Sequence, residues 1–257
     1  MSTAPWRPSE AEIRSGRLHG ADLSGLSLAR VSLIEADLEG AILLGTDLSA
    51  AVLRGANLKG ANLEGVNLND ADLSDAVLAG ANLSRASLAY AKLRAANLQG
   101  ARLVGVLAGE SNLWGANLKV ADLSDAYLAR VNLAQADLPG AKLERANLTE
   151  ANLWSVDCRL ARLADANLGG ADLSLGRFQE ADLSRANLSG ANLTRASFKG
   201  AKLISVELGG ANLSDTRFTN ADLTHADLRG AKTTAETHFG GARLVGTIMP
   251  DGTIEPG

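Results

Sequence analysis

Ala116-Asn117-Leu118-Lys119-Val120 and Ala121-Asp122-Leu123-Ser124-Asp125 are consecutive copies of one five-residue unit. The third place of this unit runs from Leu18 to Leu228 in unbroken phase, 43 positions in all, of which 38 are leucine. Phe178, Phe198 and Phe218 replace leucine three times, and Ala108 and Cys158 hold the two remaining places. Two residues before each of these positions alanine is the common residue, at 31 of 43 sites. Glycine is frequent at the last place of the unit, as at Gly100 and Gly140.

A five-residue period is not helical. Five steps of about 100° turn through about 500°, so successive leucines would scatter around a helix. It is not a plain strand either, because an odd period would flip successive leucines between faces. The pattern fits one short extended side plus one corner per unit. Leucine and the residue two before it point inward, and the other three places point outward. Asn, Asp and Gly suit the corners through side-chain to backbone hydrogen bonds and positive φ. Four such sides close a square coil of 20 residues. The phenylalanines support this, because Phe178, Phe198 and Phe218 are spaced by 20, with Cys158 one period below. Stacking the larger side chains in one column is what close packing requires. A leucine-rich-repeat horseshoe permits a similar period but needs an irregular or helical return segment, which the five-residue phase leaves no room for.

The run from about Gly16 to Gly230 resembles the pentapeptide repeat family. The resemblance implies an all-β fold, a right-handed four-sided parallel β-helix of about 11 coils, roughly 50 Å long at strand spacing. Residues 241–253 also resemble the tails of cyanobacterial members. Open solenoid ends need caps. Ser9-Glu10-Ala11-Glu12 after Pro8 reads as a capping box and predicts a short helix near residues 9–15. The chain therefore divides into an N-terminal cap at 1–15, a β-helix at 16–230, and an irregular last coil with a mobile tail at 231–257. In that last part Thr233 and His238 fall in the inward slots. Phe239, Leu244 and Met249 then resume one residue out of step, and Pro250-Asp251-Gly252 reads as a turn. At 106–110 the core slot holds Ala108 and an outward slot holds Leu107. Either a local bulge turns Leu107 inward or Leu107 is exposed over a thin core.

Composition narrows the function. The 257 residues carry 25 basic and 29 acidic side chains, a net charge of −4, which does not suit sequence-independent nucleic-acid binding. One cysteine excludes an internal disulfide framework, and no apolar run approaches a bilayer span. The N-terminal stretch Met1 to Pro8 lacks the pattern of a secretory signal, so a cytoplasmic location is expected. Catalytic sets are missing. Cys158 is inward and lies about seven coils from His19 and about three from His225, so no Cys–His pair forms. Asp22, Asp37, Asp72 and Asp122 read as turn-forming residues. The Asp- and Asn-rich segment 67–75 is a poor calcium loop. Asn82 and Asn147 sit in sequons that follow from the repeat itself. No enzyme activity, catalytic residue, cofactor or metal is expected.

Function then falls to the outer faces. Apart from Trp6, the Trp and Tyr residues are Tyr90, Trp114, Tyr127 and Trp154, all in outward slots in the middle of the rod and on two adjacent faces. Trp114 and Trp154 share one column with Ala134 between them. Leu107 lies one coil below Tyr127, and Leu175 one coil from Ser155. Such residues stabilise the rod by lying over their neighbours or mark a partner site. The candidate partner-binding patch is Tyr90, Leu107, Trp114, Tyr127, Trp154 and Leu175. The reading is a non-enzymatic scaffold, a monomer or weak dimer, that presents flat faces to an unknown protein partner, with no direct contact to nucleic acid or membrane. The alternative comes from the resemblance. Some family members, the mycobacterial fluoroquinolone-resistance protein and the plasmid quinolone-resistance proteins, are acidic DNA mimics that bind DNA gyrase. Here opposite charges are interleaved on every face, whereas mimicry needs dense negative potential.

Overall fold

The computed structural model describes residues 7–256, so the part of the N-terminal cap read at residues 1–6, with Trp6, and the final residue of the tail lie outside the described residues. Each five-residue unit forms one side of a coil. The sides Arg17, Asp22, Ser27 and Ser32 bridge in parallel to Asp37, Ile42, Asp47 and Val52, and the offset of 20 continues to Asn212↔Lys232. Each side carries a single bridge, so the sheets are stacks of very short strands. Four sides per turn make a quadrilateral parallel β-helix.

The hydrogen bonds explain the unit. Leu18 N–H donates to Asp37 C=O in the next coil (2.7 Å), and Asp37 N–H donates back to Gly16 C=O (2.8 Å). The corner closes locally, with Ala21 N–H donating to Leu18 C=O (3.0 Å). The last residue of the unit has φ near +60°, as a type II turn requires, and glycine takes it without strain. Arg30, Tyr90, Val120, Leu160 and Leu175 occupy the same left-handed region, an unusual place for large side chains. The Asn or Asp at the second place completes the corner. Asp22 Oδ1 accepts from Ser24 N–H (3.0 Å), and Asp122 Oδ1 accepts from Ser124 N–H (3.2 Å). The aspartates read as turn formers do this work.

The inward slots form one continuous core of leucine and alanine. Phe178, Phe198 and Phe218 stack in a column with ring centroids 4.8 and 5.5 Å apart. Cys158 is fully buried below them, and burial pushes its thiol pKa up, which leaves it inert.

The 106–110 break resolves against a bulge. Leu107 keeps its bridges to Ser87 and Tyr127, while Val106 and Ala108 stay buried. Leu107 N–H donates to Ala86 C=O and Ala108 N–H to Tyr127 C=O, so the ladder holds the register on both sides. The buried Ser111 hydroxyl donates to Ala108 C=O (2.6 Å) beside the thinned core. Leu107 is therefore an exposed apolar residue.

At the N-terminal end, α1 spans Glu10–Ser15 with Ser9 and Glu12 in a reciprocal capping box and Gly16 as its left-handed C-cap. Ile13 shares a depression with Leu26, Leu28 and Val31 of the first coil. The C-terminal end differs from the sequence reading. One extra residue enters between Lys232 and His238, where Thr237 Oγ1 donates to Leu213 C=O and Thr234 Oγ1 to Asp215. Pairing then proceeds with an offset of 21, through Arg217↔His238, Asp222↔Arg243 and Asp227↔Ile248. Thr233 and His238 are exposed, not inward. Phe239 takes the slot and stacks on Phe218 at 5.2 Å. The expected turn at Pro250-Asp251-Gly252 forms, but in place of a free tail the chain pairs antiparallel at Ile248↔Ile254. This hairpin covers part of the last open edge.

Asp157 is a buried carboxylate held by Arg159 (2.8 Å) and Arg177 (3.1 Å). Burial alone would raise its pKa, but the Arg159 hydrogen bonds and the Arg177 charge outweigh it and hold it below the ordinary aspartate value. A lowered folded pKa means that its stabilisation is complete above the unfolded value of about 3.9 and is lost as pH falls through the folded one. Urea denaturation at about pH 3 and about pH 6 should show a stability loss at acid pH that Asp157→Asn makes shallower, while lowering stability at neutral pH.

Candidate functional site

The candidate residues sit on two adjoining sides of the coil. On one, Leu107 and Tyr127 are bridge residues in successive coils, which fixes their spacing. Tyr90 stands at the following corner in the left-handed region, one coil below Glu110. Tyr90, Leu107 and Tyr127 together line one shallow depression with Gly109 and Glu110. All three are about half exposed. Gly109 permits this packing, because a Cβ there would come within 2.9 Å of the Tyr127 ring.

The corner itself is ionic. Tyr90 Oη donates to Glu110 (3.3 Å), and Arg130 Nε pairs with Glu150 at 2.9 Å while its Nη1 stands 4.0 Å from Glu110. Beyond this corner lie Trp114, Trp154 and Leu175. The backbone N–H groups of Trp114 and Trp154 each donate to the side-chain oxygen of the Asn two places before, Asn112 and Asn152, both at 3.1 Å. Ala134, between the two tryptophans in the column, is buried although it faces outward. Trp114 is half-buried, with the Arg94 guanidinium 4.7 Å from its ring centroid, while Trp154 and Leu175 are exposed. The six residues thus fall into two groups parted by an ionic corner, and Tyr90, Leu107 and Tyr127 share one depression. The five-residue period signals which side each residue occupies. It does not signal that Arg94 covers Trp114 or that Gly109 makes room for Tyr127.

Two other features escape the sequence reading. Val120 and Leu160 are exposed at the diagonally opposite corner. His19, Asp37 and Glu39 each bring one ligand atom within 4.8 Å of the others, because a 20-residue coil puts His19 and Glu39 in one column. All three are at the surface, and Glu39 is engaged by Lys59 (3.4 Å) and by the Asn57 amide (3.1 Å). Ion pairs recur along another corner. Arg145 chelates Asp125 (2.7 and 2.8 Å) and Arg185 chelates Asp165 (2.7 and 2.7 Å) along one corner column. The hydrogen bonds from each arginine lower the pKa of its aspartate. Among the described residues no helix is long and apolar enough to cross a membrane.

Comparison with known proteins agrees with this geometry. The family described as "Pentapeptide repeats" matches residues 32–105 and 109–232 in overlapping segments. The chain is similar to the crystal structure of HetL, a pentapeptide repeat protein involved in heterocyst differentiation regulation from the cyanobacterium Nostoc sp. strain PCC 7120. Identity is 36%, coverage is 95% of this chain and 97% of HetL, and the TM-score is 0.54. A pentapeptide repeat protein of the Arabidopsis thaliana thylakoid lumen is 33% identical over 40% of this chain and 68% of its own, with a TM-score of 0.35. QnrB1, a plasmid-mediated fluoroquinolone resistance protein, is 19% identical over 83% and 89%, with a TM-score of 0.47. No curated protein matches the sequence. The unit, the 20-residue coil, the family match over most of the chain and the likeness to HetL lead to one conclusion: the chain belongs to the pentapeptide repeat family.

Proposed function

We propose that this protein is a non-enzymatic interaction module, a rigid rod of about 11 coils at strand spacing whose mid-rod surface holds a protein partner. The observation that carries the reading is the exposure of Tyr90, Leu107, Tyr127, Trp154 and Leu175 on a bridge-locked frame. Exposed aromatic and aliphatic groups on a rigid support bind with little ordering cost. The likeness to HetL, a protein of differentiation regulation, supports a regulatory rather than a catalytic role. Gyrase binding by DNA mimicry is the weaker reading, because basic and acidic residues are interleaved along the rod, as in the Asp125, Arg145, Asp165 and Arg185 corner column.

The test is affinity capture from lysate of the source organism with the wild-type chain and a Trp114→Ser/Trp154→Ser variant as baits. A protein retained by wild type and reduced at least about tenfold by the variant is the expected result, since central aromatic contacts commonly contribute more than 1.4 kcal/mol. Equal capture by both baits would return the tryptophans to a structural role. Recovery of gyrase subunits would favour the mimic.

A further inference from the structure

The depression between Tyr90 and Tyr127 has a composition of its own. Its floor is the half-exposed Leu107, its flanks are two phenol rings, and its rim is the Glu110 carboxylate. Gly109 lets the Tyr127 ring lie down along the backbone. Glu110 is only loosely satisfied, by the Tyr90 hydroxyl at 3.3 Å and by Arg130 at 4.0 Å, while Arg130 commits its close contact to Glu150 at 2.9 Å. Aromatic faces attract cations, and a carboxylate at the rim adds charge complementarity. An aliphatic floor favours a side chain that is apolar along its stem. Arginine has this shape, with a planar guanidinium that stacks on rings and pairs with carboxylates. The protein already makes such a contact on the adjoining side, where Arg94 lies over Trp114. Among the described residues Tyr90 and Tyr127 have no such cation over them.

We propose that the Tyr90–Leu107–Tyr127 depression, closed by Glu110, is a binding site for an arginine side chain of the partner protein. This rests on the reading of the mid-rod surface as a partner site and names the chemistry that one half of it recognises.

The chain contains two tyrosines, and both line this depression. Ring-labelled tyrosine therefore gives an NMR signal that reports this site alone. The full-length chain is titrated with acetyl-arginine amide, with its neutral isostere acetyl-citrulline amide, and with acetyl-norleucine amide. Saturable shifts of both tyrosine rings by the arginine probe are expected, with a Kd in the millimolar range and roughly two- to fivefold weaker binding of citrulline. Glu110→Gln, a surface change that leaves the core intact, should remove most of that preference. Tyr127→Ala should abolish the shift of Tyr90. Equal binding of the three probes would make this a plain apolar groove, and silent tyrosines would exclude a site; either result overturns the proposal. Capture that depends on Trp114 and Trp154 while the tyrosines stay silent would reject the arginine site and leave the partner reading standing.

Discussion

Replacing Phe198 with alanine is expected to destabilise the rod by about 3–5 kcal/mol. Phe198 is fully buried between Phe178 at 4.8 Å and Phe218 at 5.5 Å, so its removal breaks two ring contacts and opens a cavity in the middle of the stack. The neighbours are fixed by bridges in both directions and have little freedom to collapse. Phe198→Leu, which restores the usual unit, should cost less than about 1.5 kcal/mol. Urea denaturation followed through Trp114 and Trp154 separates the two variants. Because each coil contacts only its neighbours, the alanine variant should also unfold less cooperatively, with the C-terminal coils melting first. A loss below about 1 kcal/mol for alanine would mean that the column relaxes and that the stack contributes little.

The second large effect is expected at Gly176. The slot two before the core residue usually holds alanine, yet here a Cβ would meet the Phe178 ring at 2.6 Å and Leu173 C=O at 2.8 Å. The ring of Phe178 occupies the space that the alanine methyl takes elsewhere. Gly176→Ala is therefore expected to cost about 1–3 kcal/mol by overpacking, although it matches the repeat better than the natural residue does. Adding Phe178→Leu should recover part of that loss. A double-mutant cycle in urea should give a coupling of about 1 kcal/mol or more between the two sites. Additive effects would show that the ring moves aside freely and that the glycine has no packing role.

These two predictions mark how far the repeat could be read. Period five settled which side chains are inward, because each unit closes its own corner through a local turn, Leu18 C=O to Ala21 N–H being the pattern. The phenylalanine spacing settled the coil length, because the large rings fit where they can stack. The helical cap was legible in Ser9 and Glu12, since a capping box is a contact within four residues. The outward placing of Tyr90, Trp114, Tyr127, Trp154 and Leu175 followed from the same phase.

What escaped the repeat depends on contacts between coils. The two readings of Leu107 differ by a bulge, and only the hydrogen bonds to Ala86 and from Ala108 to Tyr127 decide between them. The one-residue shift to Phe239 was legible in the linear pattern, but not that the coil would absorb the insertion by leaving Thr233 and His238 at the surface while the bridges continue at an offset of 21. The tail pairs because Ile254 meets a backbone edge at Ile248, a partner that no local motif specifies. Whether an outward aromatic is open or covered is a matter of side-chain direction across corners, as Arg94 over Trp114 and Gly109 under Tyr127 show. The sequence by itself determined the frame, because the frame is a sum of identical local turns and a one-dimensional packing register. Only the tertiary structure decided the surface, because adjacency there is set by residues 20 apart whose side chains choose among several neighbours.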